Sequence, residues 1–280
     1  MNYRIIHSDN GTLKDLSHSL NKYTSGSEVI PLSASEDYLY IGSRYPFNSL
    51  YFKAGVANSV TSVLYVSYWD GNKWQGAVEI ADATNGFKNS GYISFVPSRR
   101  HSGWTMDNTR NGDEVTENIT GLGGLVVYDM YWMRIKCSVD LSGTTSLSWL
   151  GHIFCDDEDL YSEYPLFNSS GLKSAFKSGK TDWEEQRVRA SILLVEDLVS
   201  GGIIEDQGQL LDTSKLRTSC VTKTAQLIFN ALGDDYIDDS RKAYGEYNTR
   251  LKKGLYNIDS NDDAILDNVE LDARQGYLVR

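Results

Sequence analysis

The sequence predicts an α+β multidomain chain: an antiparallel β-sandwich, then a small α-helical bundle, then an extended C-terminal tail. Three observations carry that reading. Apolar and polar residues alternate with period 2 through the first half, the period becomes helical near residue 180, and the aromatic residues split between the halves. Of 32 aromatic side chains, 23 fall in residues 1–164 and nine in 165–280. The expected organisation is an N-terminal arm over 1–35, a β-sandwich domain over 36–158, a helical bundle over 165–258 and a tail over 259–280.

In the β region, Tyr38-Leu39-Tyr40-Ile41 and Leu50-Tyr51-Phe52-Lys53-Ala54 are short apolar runs. Ser62 to Trp69 is rich in β-branched and aromatic residues, which suit a pleated, half-buried surface. Asp70-Gly71 follows, and Trp74 opens the next run, so a hairpin is expected there. Tyr92 to Val96 stops at Pro97, which cannot continue a central ladder. Leu125 to Val139 places Tyr128, Met130, Trp132, Arg134 and Lys136 on one parity and Tyr131, Met133, Ile135 and Cys137 on the other. Leu147 to Phe154 closes the set, and seven or eight strands with polar turns suit a sandwich. Asp156-Asp157-Glu158-Asp159 then reads as a solvated connector.

A short helix is expected over Leu172–Lys177. The next is introduced by Thr181-Asp182-Trp183-Glu184, with Thr181 as the cap and Glu184 reaching back. Its apolar stripe is Trp183, Arg187, Ala190, Leu194 and Leu198, and Gly201-Gly202 stops it. Thr213 or Ser214 caps another helix that runs to Leu232 and ends at Gly233. A last helix spans about Tyr236 to Tyr256. Helices joined by short loops make a small bundle.

Composition excludes several functions. The net charge is −11 (27 Lys and Arg against 38 Asp and Glu) and the pI is about 4.8. Binding nucleic acid by charge needs clustered bases. No apolar run approaches the ~18 residues of a membrane span, and the first residues lack a secretory signal pattern. Cys137, Cys155 and Cys220 are far apart and odd in number, which suggests neither a disulfide framework nor a zinc site. Cys220 reads as core packing.

Candidate chemistry is sparse. The histidines (His7, His18, His101, His152) show no metal-binding spacing, and neither a Gly-x-Ser-x-Gly elbow nor a phosphate loop occurs. No catalytic, cofactor or metal residue is assigned, and no cofactor is expected. Asp259, Asn261, Asp263 and Glu270 have the spacing of a calcium loop, but Ala264 stands where the sharp turn wants Gly, so tight calcium binding is not expected. Trp69 and Trp74, flanking the hairpin turn, are candidate contacts for a glycan or a fibre; the plainer reading is a cross-strand packing pair. Asn118-Ile119-Thr120 matches a glycosylation acceptor that has no meaning without secretion.

Four stretches carry a family resemblance: Ser94-Phe95-Val96-Pro97-Ser98-Arg99-Arg100 with Trp104, Tyr128 to Ile135, Trp183-Glu184-Glu185-Gln186, and Ala231 to Tyr236. Their order resembles virion proteins of the neck of tailed bacteriophages. Residues 165–280 in particular resemble head-to-tail adaptor (connector) proteins. The resemblance implies a non-enzymatic structural protein that forms a ring, twelve-fold in symmetry, between the portal protein and the tail-side neck proteins. It implies a location in the virion neck, assembled in the host cytoplasm, with DNA passing through an acidic lumen without sequence-specific binding and no membrane partner. The β region departs from the minimal adaptor as an added domain. The tail would dock on the portal or a neighbouring copy through Arg274, Tyr277, Leu278 and Arg280, so deleting 272–280 is expected to spare the fold and abolish attachment. The alternative is a tail, baseplate or collar protein whose sandwich binds a host glycan or a fibre.

Overall fold

The computed structural model describes residues 3–23, 26–97, 107–109, 119–265, 270 and 273–274. Arg99, Arg100, His101, Trp104, Asn118, Tyr277, Leu278 and Arg280 lie outside them. The chain is α+β, with two larger antiparallel sheets and six helices among the described residues. It divides into two compact units, 1–151 with 259–265, and 152–258 with 266–280.

In chain order, the first unit contains β1 (Arg4–Asp9), β2 (Thr12–Asp15), α1 (Ser17–Leu20), β3 (Glu28–Val29), β4 (Tyr38–Ser43), β5 (Ser49–Val56) and β6 (Leu64–Trp69). It continues with β7 (Trp74–Gly76), β8 (Val78–Asp82), β9 (Gly91–Val96), β10 (Asp107–Thr109), β11 (Val127–Cys137) and β12 (Ser146–Gly151). One sheet runs β2-β1-β4-β11-β6-β7, with β10 also on β11; the other runs β3-β12-β5-β9-β8. The expected N-terminal arm is therefore part of the fold. Its Arg4–Asp9 segment pairs with β4 in the register Ile6↔Tyr40, and Ile5 and Ile6 are fully buried.

The hairpin at Asp70-Gly71 forms as its turn chemistry requires. Gly71 has φ +91°. The Asp70 carboxylate accepts the Asn72 and Lys73 amides at 2.9 and 2.7 Å, and Trp69 pairs with Trp74. After β7 the Ala77 amide still donates to Val66, and the chain then crosses to the other sheet as β8. Alternation holds along β9, where Ile93 and Phe95 are buried and Tyr92 and Ser94 half-buried. It holds also in the second half of β11, where Met133, Ile135 and Cys137 are buried while Arg134 and Lys136 are half-exposed. Strands β4 and β12 are buried on nearly every residue, which suits interior strands covered on both faces. Trp132, on the parity of Arg134, is also fully buried. It belongs to a small second core with Ile6, Tyr40, Trp69, Ile119, Leu122 and Val127.

The second unit contains α2 (Asp157–Glu163), α3 (Ser170–Phe176), α4 (Glu184–Ser200), α5 (Arg217–Leu232) and α6 (Ile237–Lys253), followed by β13 (Leu255–Tyr256) and β14 (Ala273–Arg274). The acidic run 156–159 is not a solvated connector. Asp156 caps α2 in a reciprocal box with Asp159, and Asp157 pairs with Arg187 at 2.8 Å. Carboxylates in a first helical turn complement the helix dipole, so the run is a helix start. The start of α4 also differs from the expected box. Asp182, not Thr181, accepts the Glu184 amide, and Thr181 is held against Asp182. The helix stops hold: Gly202 has φ +68° after α4, and Gly233 has φ +93° after α5.

The core of this unit surrounds Trp183, which is fully buried; its indole Nε1 donates to the Phe167 carbonyl at 2.9 Å. Phe167 and Phe176 meet the indole edge-on at 5.7 and 5.1 Å, a geometry that aligns positive ring edges with negative ring faces. Arg187, expected on the apolar stripe, instead reaches Asp157. Helix α5 packs against both α4 and α6. No described helix is long and apolar enough to cross a membrane.

Candidate functional site

Three places carry the side chains singled out by the sequence: the hairpin tryptophans, the acidic loop and the tail. At the hairpin, Trp69 is 2% exposed, so it is a packing residue and not a stacking platform for sugar. Trp74 is half-buried and meets Trp69 at 5.3 Å and Tyr40 at 5.6 Å. Its indole N–H donates to the Thr120 carbonyl at 2.8 Å. The Arg134 guanidinium sits 4.7 Å from the Trp74 ring and 4.4 Å from the Tyr38 ring, a double cation–π contact. Lys136 lies beside the same tyrosine at 5.8 Å. Tyr40 is pushed above the usual phenol range, chiefly by burial, with Arg134 opposing. The outward group here is thus Tyr38, Trp74, Arg134 and Lys136. The sequence offered one signal for it: the aromatic and basic residues of these strands share a parity.

The acidic loop forms the turn that Ala264 was expected to prevent. Ala264 has φ +59° and is buried, and its amide donates to Asp259 at 2.8 Å. Asp259 also accepts the Asp263 amide at 3.2 Å, and Asp263 accepts the Ile265 amide at 2.7 Å. The missing glycine is therefore not a steric bar to the loop. Among the described residues, no group of three or more His, Cys, Asp or Glu side chains is placed to hold a metal ion. Glu270, at the last position of the pattern, is buried in the second unit.

The tail is not extended from residue 259. Residues 259–265 cluster with the sheet unit. In the helical unit, Glu270 accepts the Ile258 amide at 3.3 Å. Arg274 pairs with Leu255, and Ala273 with Tyr256. The described residues 270, 273 and 274 thus pair within the helical unit, and 259–265 belong to the sheet unit. A deletion from residue 272 would remove β14, the partner of β13. Tyr277, Leu278 and Arg280 lie outside the described residues.

The described histidines sit on separate parts of the chain, His7 in β1, His18 in α1 and His152 after β12. His7 is buried and its pKa is lowered by that burial, with Asp37 and Asp9 opposing. His152 is buried and pushed down to about 3 by desolvation. His18 is exposed and lies 3.1 Å from Lys22. These last two residues, with Arg4, line a surface cleft of about 320 Å³ beside Tyr3, Asn21 and Met130. Sequence reading missed it because its bases are scattered. All three of its bases already have partners, Arg4 on Asp15 at 2.9 Å and Lys22 and His18 on each other. The chain matches no family model, no curated protein and no solved structure.

Proposed function

We propose that the chain is a structural virion protein of the phage neck. In this reading it is a head-to-tail adaptor that forms a ring by contacts between helical units, and the two larger sheets stack as a sandwich-like appended domain. The portal protein lies above the ring, tail-side neck proteins below, and DNA passes through it. The resemblance of residues 165–280 to adaptor proteins supplies the family.

One observation carries the ring. A closed ring needs two different surfaces on each subunit, one meeting the other on the next copy. The helices flanking α5 each expose an apolar pair seven residues apart, hence on one face. On α4 these are Ile192 and Val199, 36% and 40% exposed; on α6 they are Ile237 and Tyr244, 45% and 49% exposed. Their charges are opposite. Helix α4 has four acids and two bases, giving −2, and α6 has five bases and three acids, giving +2. Exposed apolar faces on two helices of opposite net charge favour α4 of one copy against α6 of the next.

The test is the particle formed by the purified protein, seen by negative-stain microscopy and weighed by mass photometry. Rings are expected, and Tyr244→Glu or Ile192→Glu should give monomers with unchanged helical circular dichroism. A wild-type protein that stays monomeric with and without portal-bearing capsids overturns the reading. The collar or fibre alternative rests on the Tyr38, Trp74, Arg134 and Lys136 surface. Binding to a glycan array that is lost in Trp74→Ala would favour it.

A further inference from the structure

Two of the three cysteines, which looked unrelated in the sequence, meet inside the helical unit. Cys155 precedes the cap of α2, and Cys220 lies in α5, 65 residues later. Their sulfurs are 3.1 Å apart, and the residues are 5% and 0% exposed. The surroundings hold both in place. The Arg187 Nη1 donates to the Cys155 carbonyl at 3.0 Å while its Nε donates to Asp157. Ser191 Oγ lies 3.3 Å from the Cys220 sulfur, and the same hydroxyl accepts the Phe154 amide at 3.1 Å. Cys137 belongs to the sheet unit and is a built-in control.

We infer that Cys155 and Cys220 are an oxidisable pair that closes to an intrachain disulfide without global unfolding, by exchange with a small-molecule disulfide that reaches them when the segment carrying Cys155 opens locally. A disulfide needs its sulfurs at about 2.05 Å, so the approach required is about one ångström. Neighbouring side-chain rotation can supply that without moving a helix. The balance is simple. One protein thiolate attacks the small disulfide and releases one small thiol. The other cysteine then attacks the mixed disulfide and releases the second. Two protein thiols lose two protons and two electrons, and the small disulfide is reduced to two thiols. The Cys155 thiol is held well above the ordinary range by its hydrogen bond to Cys220 and by burial. Cys220 accepts that bond, so it is the sulfur that carries the negative charge more readily. The bridge would tie the segment entering the helical unit to its central helix and close a loop of 65 residues, constraining the unfolded chain. The inference is independent of the ring reading.

The experiment uses the full chain, incubated folded with oxidised glutathione and then alkylated in denaturant. Intact mass should show two thiols consumed with a loss of about 2 Da, not addition of glutathione. A non-reducing digest should link the peptides containing Cys155 and Cys220. The melting temperature should rise by roughly 5 °C and return on adding reductant. Cys137→Ser should behave like the parent, whereas Cys220→Ala should never lose 2 Da. Three thiols persisting in the folded protein, under conditions that oxidise the denatured chain, would overturn the inference. So would a bridge that contains Cys137.

Discussion

The two units are held together in different ways, and the difference shows where each is vulnerable. In the sheet unit, buried polar groups are spread along edges and turns and serve the backbone. Asn58, 3% exposed, donates to the Val60 and Gly86 carbonyls and accepts the Val60 and Ser142 amides. Such bonds replace water one for one and contribute modestly each. In the helical unit, polar and reactive groups are gathered around one core: Asp157 with Arg187, Cys155 with Cys220, Tyr247 on Asp197 at 2.6 Å. Tyr247 is raised far above the phenol range, first by burial and then by that carboxylate. A core of this kind responds to pH, oxidation and single substitutions as a whole, whereas the sheet unit responds piecemeal.

The largest test of that contrast is Trp183→Ala. It empties the centre of the helical core and leaves the Phe167 carbonyl without its indole donor. Loss of a fully buried Trp costs about 3–5 kcal/mol. Hydrogen exchange by mass spectrometry should show the α4 and α5 amides opening far more often, while β4 and β11 keep their protection. Equal loss of protection in both units would break the contrast, because it would mean they unfold as one body.

What could be read in the sequence follows the range of the forces involved. The Asp70-Gly71 hairpin, the β9 and β11 alternation and the three long helices were legible, since turn chemistry and periodicity act over a few residues. Pairing of Arg4–Asp9 with β4 was not: the segment carries His7, Ser8 and Asp9 and shows no clean alternation. The acidic run at 156–159 carries its signal in the Asp156 and Asp159 spacing of a capping box, which the run's charge masks. The sites fared worse. Trp69 and Trp74 were read as a pair, but burial of Trp69 depends on Ile119 and Leu122, some fifty residues away. The meeting of Cys155 with Cys220 is equally long-range. The Tyr38–Arg134 contact needs the register Arg134↔Tyr40, which no local pattern fixes.

Acid should separate the units next. His152 is held neutral in the helical unit, its pKa pushed by burial from the ordinary 6.5 down to about 3. Above pH 6.5 neither folded nor unfolded chain carries this proton, and stability is complete. Below it, the unfolded chain takes up a proton that the fold refuses. Stability then falls by about 1.4 kcal/mol per pH unit until the folded value is reached. His7 in the sheet unit is lowered in the same direction, but Asp37 and Asp9 oppose its burial, so its slope should be shallower. Exchange protection measured at pH 7, 6 and 5 should drop faster in α5 than in β11, and His152→Asn should flatten the α5 slope. The same slope in that variant would assign the acid sensitivity to other groups.

The smallest effect sharpens the contrast at the one place where the chain returns to the sheet unit late in the sequence. Ala264 has φ +59°, a conformation that costs an L-residue roughly 1–2 kcal/mol because Cβ crowds the backbone. Glycine takes it without that penalty. Two terms oppose the gain. Gly has more freedom to lose on folding, and the Ala264 methyl is buried, 1% exposed, so removing it forfeits a little packing. Ala264→Gly should therefore stabilise the sheet unit by about 0.5 kcal/mol, visible as slower exchange of the loop amides at Asp263, 264 and Ile265, which all donate to loop side chains. The helical unit should not respond. If the variant is instead destabilised, the methyl group's packing outweighs the backbone strain, and the loop is held by its side-chain contacts more than by its carboxylate–amide bonds. If α5 protection changes as well, residues 259–265 transmit strain between the units, and treating the two as independent in stability fails at this segment.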